Sequence, residues 1–285
     1  MKIGLADYYI NSYGFENGAQ RMAEHGYSSI DFQFTNTDSE YYNAREEDFL
    51  SLVLGVKRGL AKHGITVNQI HGPCRFPACD ATEDERAERF GKMTKALVIA
   101  KHLGAKYMVV HPLMPYGENS PENPDAVYEI NKRYYTALAK VAHGLGVVIC
   151  LENTPFPDFP LSPSDKILGL LKEINHPYLK MCFDTGHAHL LGESLGSSLR
   201  NIGRDFLKTV HVHDNNGDKN NHLPPYDGNI DWADFAEGLY DIGFDGVFNL
   251  ETAPVTDTDR KNGISEKEIE EKELELARIA RLIAG

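Results

Sequence analysis

A chain of 285 residues with 41% apolar side chains can bury one large core, and its length suits a single α/β domain over 1–285. Its 42 acidic against 29 basic residues leave a formal charge of −13 without any block of Lys and Arg, which argues against nucleic acid or a membrane surface as partner. Small neutral or metal-chelated molecules fit that charge better.

The opening residues Met1-Lys2-Ile3-Gly4-Leu5-Ala6-Asp7 predict a strand rather than a signal peptide, and nothing approaches a membrane span. The expected compartment is the cytoplasm. In chain order the pattern predicts strand 2–7 and helix 16–25, strand 28–34 and helix 46–63, strand 65–71 and helix 83–103, then strand 106–111 and helix 125–144. It continues with strand 147–153 and helix 164–175, strand 179–184 and helix 193–204, strand 208–214 and helix 231–242, and strand 246–251 and helix 265–283. The helix at 193–204 is interrupted by Gly192, Gly196 and Gly203, and the last one opens with the capping-box spacing Ser265 to Glu268. Helices close on His25-Gly26, His63-Gly64, Leu103-Gly104, Leu145-Gly146 and Ile242-Gly243, where glycine supplies the left-handed cap.

These closures sort the histidines. Of the twelve, His25, His63, His102 and His143 sit in helix ends that suit a cation, and His176 precedes Pro177 in a turn; all five read as structural. The others follow strands. So do the long loops 112–124, 154–163, 214–230 and 252–264, which places them on one rim. Cys150 and Cys182 fall in strands and read as small core residues. Cys74 and Cys79 flank a loop, where a lone pair is a weak metal signal.

Six strand ends carry the metal-capable side chains: Ile70-His71, Val110-His111, Leu151-Glu152-Asn153, Phe183-Asp184-Thr185-Gly186-His187, Val210-His211-Val212-His213-Asp214 and Leu250-Glu251. One such residue per strand end converges only if the strands are parallel and close into a ring, a (β/α)8 TIM barrel. Alternation decides direction. Val147, Ile149 and Leu151 face the helices, while Val148, Cys150 and Glu152 face inward; Asp184, Glu251 and His111 follow the same rule. Crowding these acids without counter-charge is costly, and the inner face offers only Lys180, near the opposite end. A divalent ion (Mn, Zn, Co or Mg) removes the cost.

The motifs Leu151-Glu152-Asn153-Thr154, Phe183-Asp184-Thr185-Gly186-His187-Ala188, His211-Val212-His213-Asp214 and His222-Leu223-Pro224-Pro225-Tyr226-Asp227-Gly228 resemble the xylose isomerase-like barrel superfamily over essentially the whole chain. The likeness is to its sugar phosphate isomerase/epimerase and endonuclease IV (AP endonuclease family 2) branch. It implies one metal held by Glu152, Asp184, His211 and Glu251, with His187 contacting substrate oxygens or a further metal. The endonuclease IV branch implies extra ligands at His71, His111, His187 and His222, and His213 stays open as a neighbour. Asn220 stands where that branch has an acid two residues before His222. Gly217 replaces the arginine of ketose 3-epimerases, and Tyr226 stands where they have glycine.

Three functions follow as expectations. The first is a sugar or sugar phosphate isomerase/epimerase, in which the cation polarises a carbonyl and Glu152 and Glu251 exchange a proton with the adjacent carbon. Asn153 and Asn249 would steady these glutamates, and Tyr8, Phe15, Phe156 and Tyr226 would line a sugar pocket. Arg75 is the best candidate for binding an anion. The second is an endonuclease IV-like multi-zinc phosphoesterase, supported by the extra histidines and opposed by the charge. The third, a barrel that only binds, is opposed by four filled ligand positions. A homo-oligomer is left open.

Overall fold

The strands follow the predicted alternation because each apolar, β-branched run is bounded by glycine or turn residues. In the computed structural model, which describes residues 1–75, 79–119 and 121–285, they are β1 (Lys2–Ala6), β2 (Ser29–Gln33), β3 (Thr66–His71), β4 (Tyr107–Val110), β5 (Val148–Glu152), β6 (Leu179–Asp184), β7 (Leu207–His211) and β8 (Val247–Leu250). The loop between Cys74 and Cys79 therefore lies mostly outside the described residues, as does Ser120 of the rim loop 112–124. Neighbouring strands are parallel in the order β7-β6-β5-β4-β3-β2-β1-β8. The ring closes just past the ends of β7 and β8. There Val212 N–H donates to Asn249 O at 2.9 Å, and Glu251 N–H donates to Val212 O at 3.0 Å. This is the expected (β/α)8 barrel.

The largest boundary difference is at β7, which ends at His211 rather than at 214. Asp214 pairs antiparallel with Leu223, through bonds of 2.7 and 2.9 Å, and turns the chain off the barrel wall. Short helices Tyr8–Tyr13, Glu40–Asn43, Thr185–Leu190 and Asp257–Lys261 occupy stretches that read as loop. None is long enough to display a full amphipathic repeat. The helix interrupted by glycines spans Leu195–Phe206 and breaks at Gly203 (φ 70°, ψ 164°). Ser265 caps Glu266–Ala284 as predicted, accepting from Glu268 N–H while its own N–H donates to the Glu268 carboxylate.

Outward strand residues join the helices in one large core, which contains Ile30, Ile149, Leu151, Met181, Phe183 and Phe248. Inside the ring, Val109, Cys150 and Cys182 form a separate apolar plug and are fully buried. Burial pushes the Cys150 thiol up to about 12, in keeping with an inert core cysteine. Lys180, the one inward cation foreseen, lies with its Nζ 4.9 Å from the centre of the Phe206 ring. Above the plug the polar residues begin.

Candidate active site at the barrel mouth

Glu152 ends β5, Asp184 ends β6, His211 ends β7 and Glu251 follows β8. One ligand atom from each lies within 4.8 Å of the other three. His211 Nδ1 is 2.6 Å from Glu152 Oε1 and 3.2 Å from Glu251 Oε2. Glu152, Asp184 and His211 are completely or almost completely buried. Among the described residues, no Lys or Arg forms an ion pair with these three acids, and imidazoles alone face them.

Burial works to raise each carboxyl, but the histidines more than reverse it. His211, with His111 and His71, holds Glu152 well below the usual carboxylate range. His187 and His213 lower Asp184, and His211 lowers Glu251. Burial works to lower His211, but Cys182, Glu152, Glu251 and Asp31 favour its charged form and hold it well above its ordinary value. Three carboxylates and one imidazole nitrogen make a donor set that suits a divalent cation. The other Glu152 oxygen, Oε2, is buried and faces the imidazoles of His71 and His111 without forming a hydrogen bond.

Asp31 of β2 is the residue that sequence reading passed over. It is fully buried, and its Oδ2 lies 2.9 Å from His211 Nε2. The same oxygen accepts from Gln69 at 3.2 Å, Gln33 at 3.2 Å and Asn249 at 3.3 Å. A carboxylate on Nε2 leaves Nδ1 as the ring atom that faces the acids. The signal was present, since Asp31 is an inward acid between Ile30 and Phe32, but it sits within a strand rather than at its end.

The two asparagines differ from expectation. Asn153 does not hold a glutamate; its amide accepts from Asp184 N–H at 2.8 Å and donates to Asp184 O at 2.9 Å, clamping the end of β6. Asn249 reaches Asp31. Asp184 also caps the helix Thr185–Leu190, with Oδ1 accepting from His187 N–H at 2.7 Å. Gly186 follows because a Cβ there would lie 2.0 Å from His213 Cε1.

The remaining predicted residues join the same cluster. Nε2 of His71 and of His111 lie 3.4 and 3.1 Å from Glu152 Oε2. His213 Nε2 is 3.1 Å from the Asp184 carboxylate, and its ring stacks on His222 with centroids 3.9 Å apart. His222 Nδ1–H donates to Glu251 O at 2.9 Å. His187 Nδ1–H donates to Asn153 O at 2.9 Å, so its Nε2 accepts from Asn220 Nδ2 at 3.0 Å. Burial lowers the His187 pKa and keeps that ring neutral. Asp214 is structural: it accepts from Tyr226 N–H and Trp232 Nε1–H, both at 2.9 Å, and braces the loop behind it.

A cavity of about 260 Å³ opens over the cluster, with His71, His111, His187, His222 and Glu251 in its wall and Phe156 on its apolar side. That size admits a small molecule. Arg75 reaches the cavity but is tied to Glu85 at 3.3 Å and Glu88 at 3.1 Å, and the buried Arg89 to Asp80 at 2.6 Å. Arg75 is thus no free anion site. Phe15 packs over Gly59 rather than at the mouth, and the exposed Tyr226 leans toward Trp232 with centroids 6.3 Å apart. Tyr8 lines a neighbouring depression that shares His222. No helix among the described residues is long and apolar enough to cross a membrane.

Comparison with known proteins agrees with this architecture. An uncharacterised protein of Methanocaldococcus jannaschii is 31% identical over 209 residues, 70% of this chain and 69% of that protein. The D-psicose 3-epimerase of Ruminiclostridium cellulolyticum is 25% identical over 195 residues, 66% of this chain and 64% of the enzyme. These matches span about two thirds of the relatives' own lengths. A crystal structure of D-psicose 3-epimerase with D-tagatose from Clostridium cellulolyticum H10 superimposes with a TM-score of 0.80 at 19% identity, covering 100% of this chain and 99% of the other. The family described as xylose isomerase-like TIM barrel matches residues 19–277, and with barrel, strand-end acids and sequence in agreement, the chain belongs to that family.

Proposed function

We propose that this chain is a divalent-metal-dependent isomerase or epimerase of a sugar or sugar phosphate, working by proton transfer beside a carbonyl. The observation that carries the reading is the convergence of Glu152, Asp184, His211 and Glu251 beneath a small cavity, with three acids and, among the described residues, no Lys or Arg paired with them. These four would hold the cation, and Asp31 would orient His211. When bound, the ion polarises a substrate carbonyl and acidifies the adjacent C–H.

Glu152 and Glu251 are both held ionised by their histidine neighbours, so the basic form is present at neutral pH. One removes a proton from the carbon beside the carbonyl and the other returns it. His187 is neutral, and its Nε2 is free to exchange Asn220 for a substrate hydroxyl. The epimerase relatives support the same reaction class.

The phosphoesterase alternative is weakened at a specific atom. Asn220, whose amide donates to His187 Nε2 at 3.0 Å, stands where that branch has an acid, so an outer metal would lack a charged ligand there. The two arginines at the cavity are paired with acids as well, which favours a substrate without a phosphate.

The test is turnover of a panel of ketoses and their phosphates in deuterated solvent, alongside metal analysis. Deuterium should enter at the carbon beside the carbonyl. Phosphodiester cleavage, or ketose turnover without solvent exchange, would sink the reading.

A further inference from the structure

Cys74, His71 and His111 bring together donors that the proposed reaction leaves unused. Cys74 Sγ lies 3.7 Å from His71 Nδ1 and 3.9 Å from His111 Nδ1, and the two rings meet edge to face at 5.0 Å. All three ligand atoms fall within 4.8 Å of one another. A tetrahedral ion with metal–sulfur bonds of about 2.3 Å and metal–nitrogen bonds of about 2.0–2.1 Å sets sulfur and nitrogen about 3.6 Å apart. The observed spacings exceed that by only a few tenths of an ångström. All three residues line the cavity, so an ion can reach them.

The far side of the rings supplies a second observation. His71 Nε2 and His111 Nε2 both face Glu152 Oε2, the buried oxygen without a partner. Coordination through Nδ1 puts the ring proton on Nε2, and Glu152 Oε2 then accepts from both histidines. That is the carboxylate–imidazole–metal relay that orients ligating histidines. His71 Nδ1–H otherwise donates to Gly72 O at 2.8 Å, so binding moves one proton across the ring and leaves that carbonyl facing the ion.

We propose that Cys74 Sγ, His71 Nδ1 and His111 Nδ1 form a second cation site, selective for a zinc-like ion because of its thiolate. It is a different site from the carboxylate-rich quartet, and Glu152 joins the two, with Oε1 toward the quartet and Oε2 toward the histidines. The site would pin the start of the loop after β3 to the end of β4. This inference stands whether or not the chain is an isomerase.

The experiment is a cobalt(II) titration of the full chain after chelation, following the near-ultraviolet thiolate-to-cobalt band and the metal count. The wild type should bind two ions and show the band. Cys74→Ser and Cys74→Ala should bind one ion and lose the band while keeping the wild-type circular dichroism. Asp184→Ala should keep the band and lose the other ion, which separates this site from the quartet. A wild type without the band overturns the proposal. So does a Cys74→Ser variant that still binds two ions, since the second ion would then sit on the Nε2 atoms and Glu152. The band without isotope exchange into any ketose would leave this site standing and remove the isomerase reading.

Discussion

Among the described residues, two clusters bring histidine and two or more acids close enough to hold a metal, and they answer their buried charge differently. At the barrel mouth these are Glu152, Asp184, His211 and Glu251; on the outside they are His25, Glu270 and Glu273. Both contain almost fully buried carboxylates. In the outer cluster Arg21 Nε reaches Glu273 Oε2 at 2.5 Å and its Nη2 pairs with Glu270, while Tyr13 donates to Glu273 at 2.6 Å. A guanidinium meets that charge, and the result ties the helix Phe15–Glu24 to Glu266–Ala284, near the two ends of the chain. Inside the barrel the acids meet imidazoles, and among the described residues no Lys or Arg pairs with them. Convergence of ligand atoms does not by itself call for a metal; it does so where no fixed counter-charge already answers the acids.

A third buried acid shows another answer. Among the described residues no cation pairs with Asp7, and burial, partly offset by the Gln33 N–H, raises its pKa to about 7. Neutral donors, the Gln33 N–H at 3.3 Å and the Asn11 amide at 3.1 Å, meet it in place of a cation.

The largest expected effect is chemical and confined to the mouth. Glu251→Gln or Glu152→Gln keeps size and an oxygen but removes the base, so turnover should fall about 10²–10⁴-fold. Single-turnover kinetics check this, and a Gln variant with full activity would remove that residue from catalysis. Arg21→Met should do the opposite. It strands Glu273, and breaking a buried pair costs about 3 kcal/mol or more, so the urea midpoint should drop while metal content and turnover per folded molecule stay unchanged. If metal content fell as well, the two clusters would not be independent.

Asp31→Asn addresses the link between fold and centre. Loss of a carboxylate behind a metal-bound histidine typically lowers metal affinity about 10–100-fold, and isothermal titration of the chelated protein with a divalent ion would read it. Unchanged affinity would make Asp31 a part of the core alone. The last test is the pH dependence of Asp7, which touches stability and not the centre. Its folded pKa lies above the ordinary 3.8, so its contribution to stability is complete below about 3.8 and is lost as pH rises through about 7. Asp7→Asn should flatten the stability profile across that window, measured by urea unfolding from pH 4 to 8. A variant as steep as the wild type would show that another group sets the slope.

The strand-end residues were legible because a strand's period of two forces direction. Once Leu151 and Phe183 face the helices, Glu152 and Asp184 must face the ring. Asp31 obeys the same rule but, lying within its strand, resembled an ordinary barrel lining. The role of Asn153 was misread because it clamps a neighbouring strand, and pairing register is not written in local pattern. Cys74 was weighed against Cys79, close in sequence, whereas its nearby partners His71 and His111 come from two different strands.

By itself the sequence determined the alternation of strand and helix, the parallel barrel that it implies, and the four strand ends that aim acids and a histidine inward. These follow from local periodicity, from caps and from the cost of burying charge, none of which needs distant neighbours. Only the tertiary structure decided which atoms meet: His211 with Nδ1 toward the acids and Nε2 on Asp31, Asn220 on His187, Arg21 on Glu273, and Cys74 between two imidazoles. Such pairings join residues up to 252 positions apart, and they depend on barrel closure and ring orientation. Chain folding sets those distances, and no local pattern encodes them.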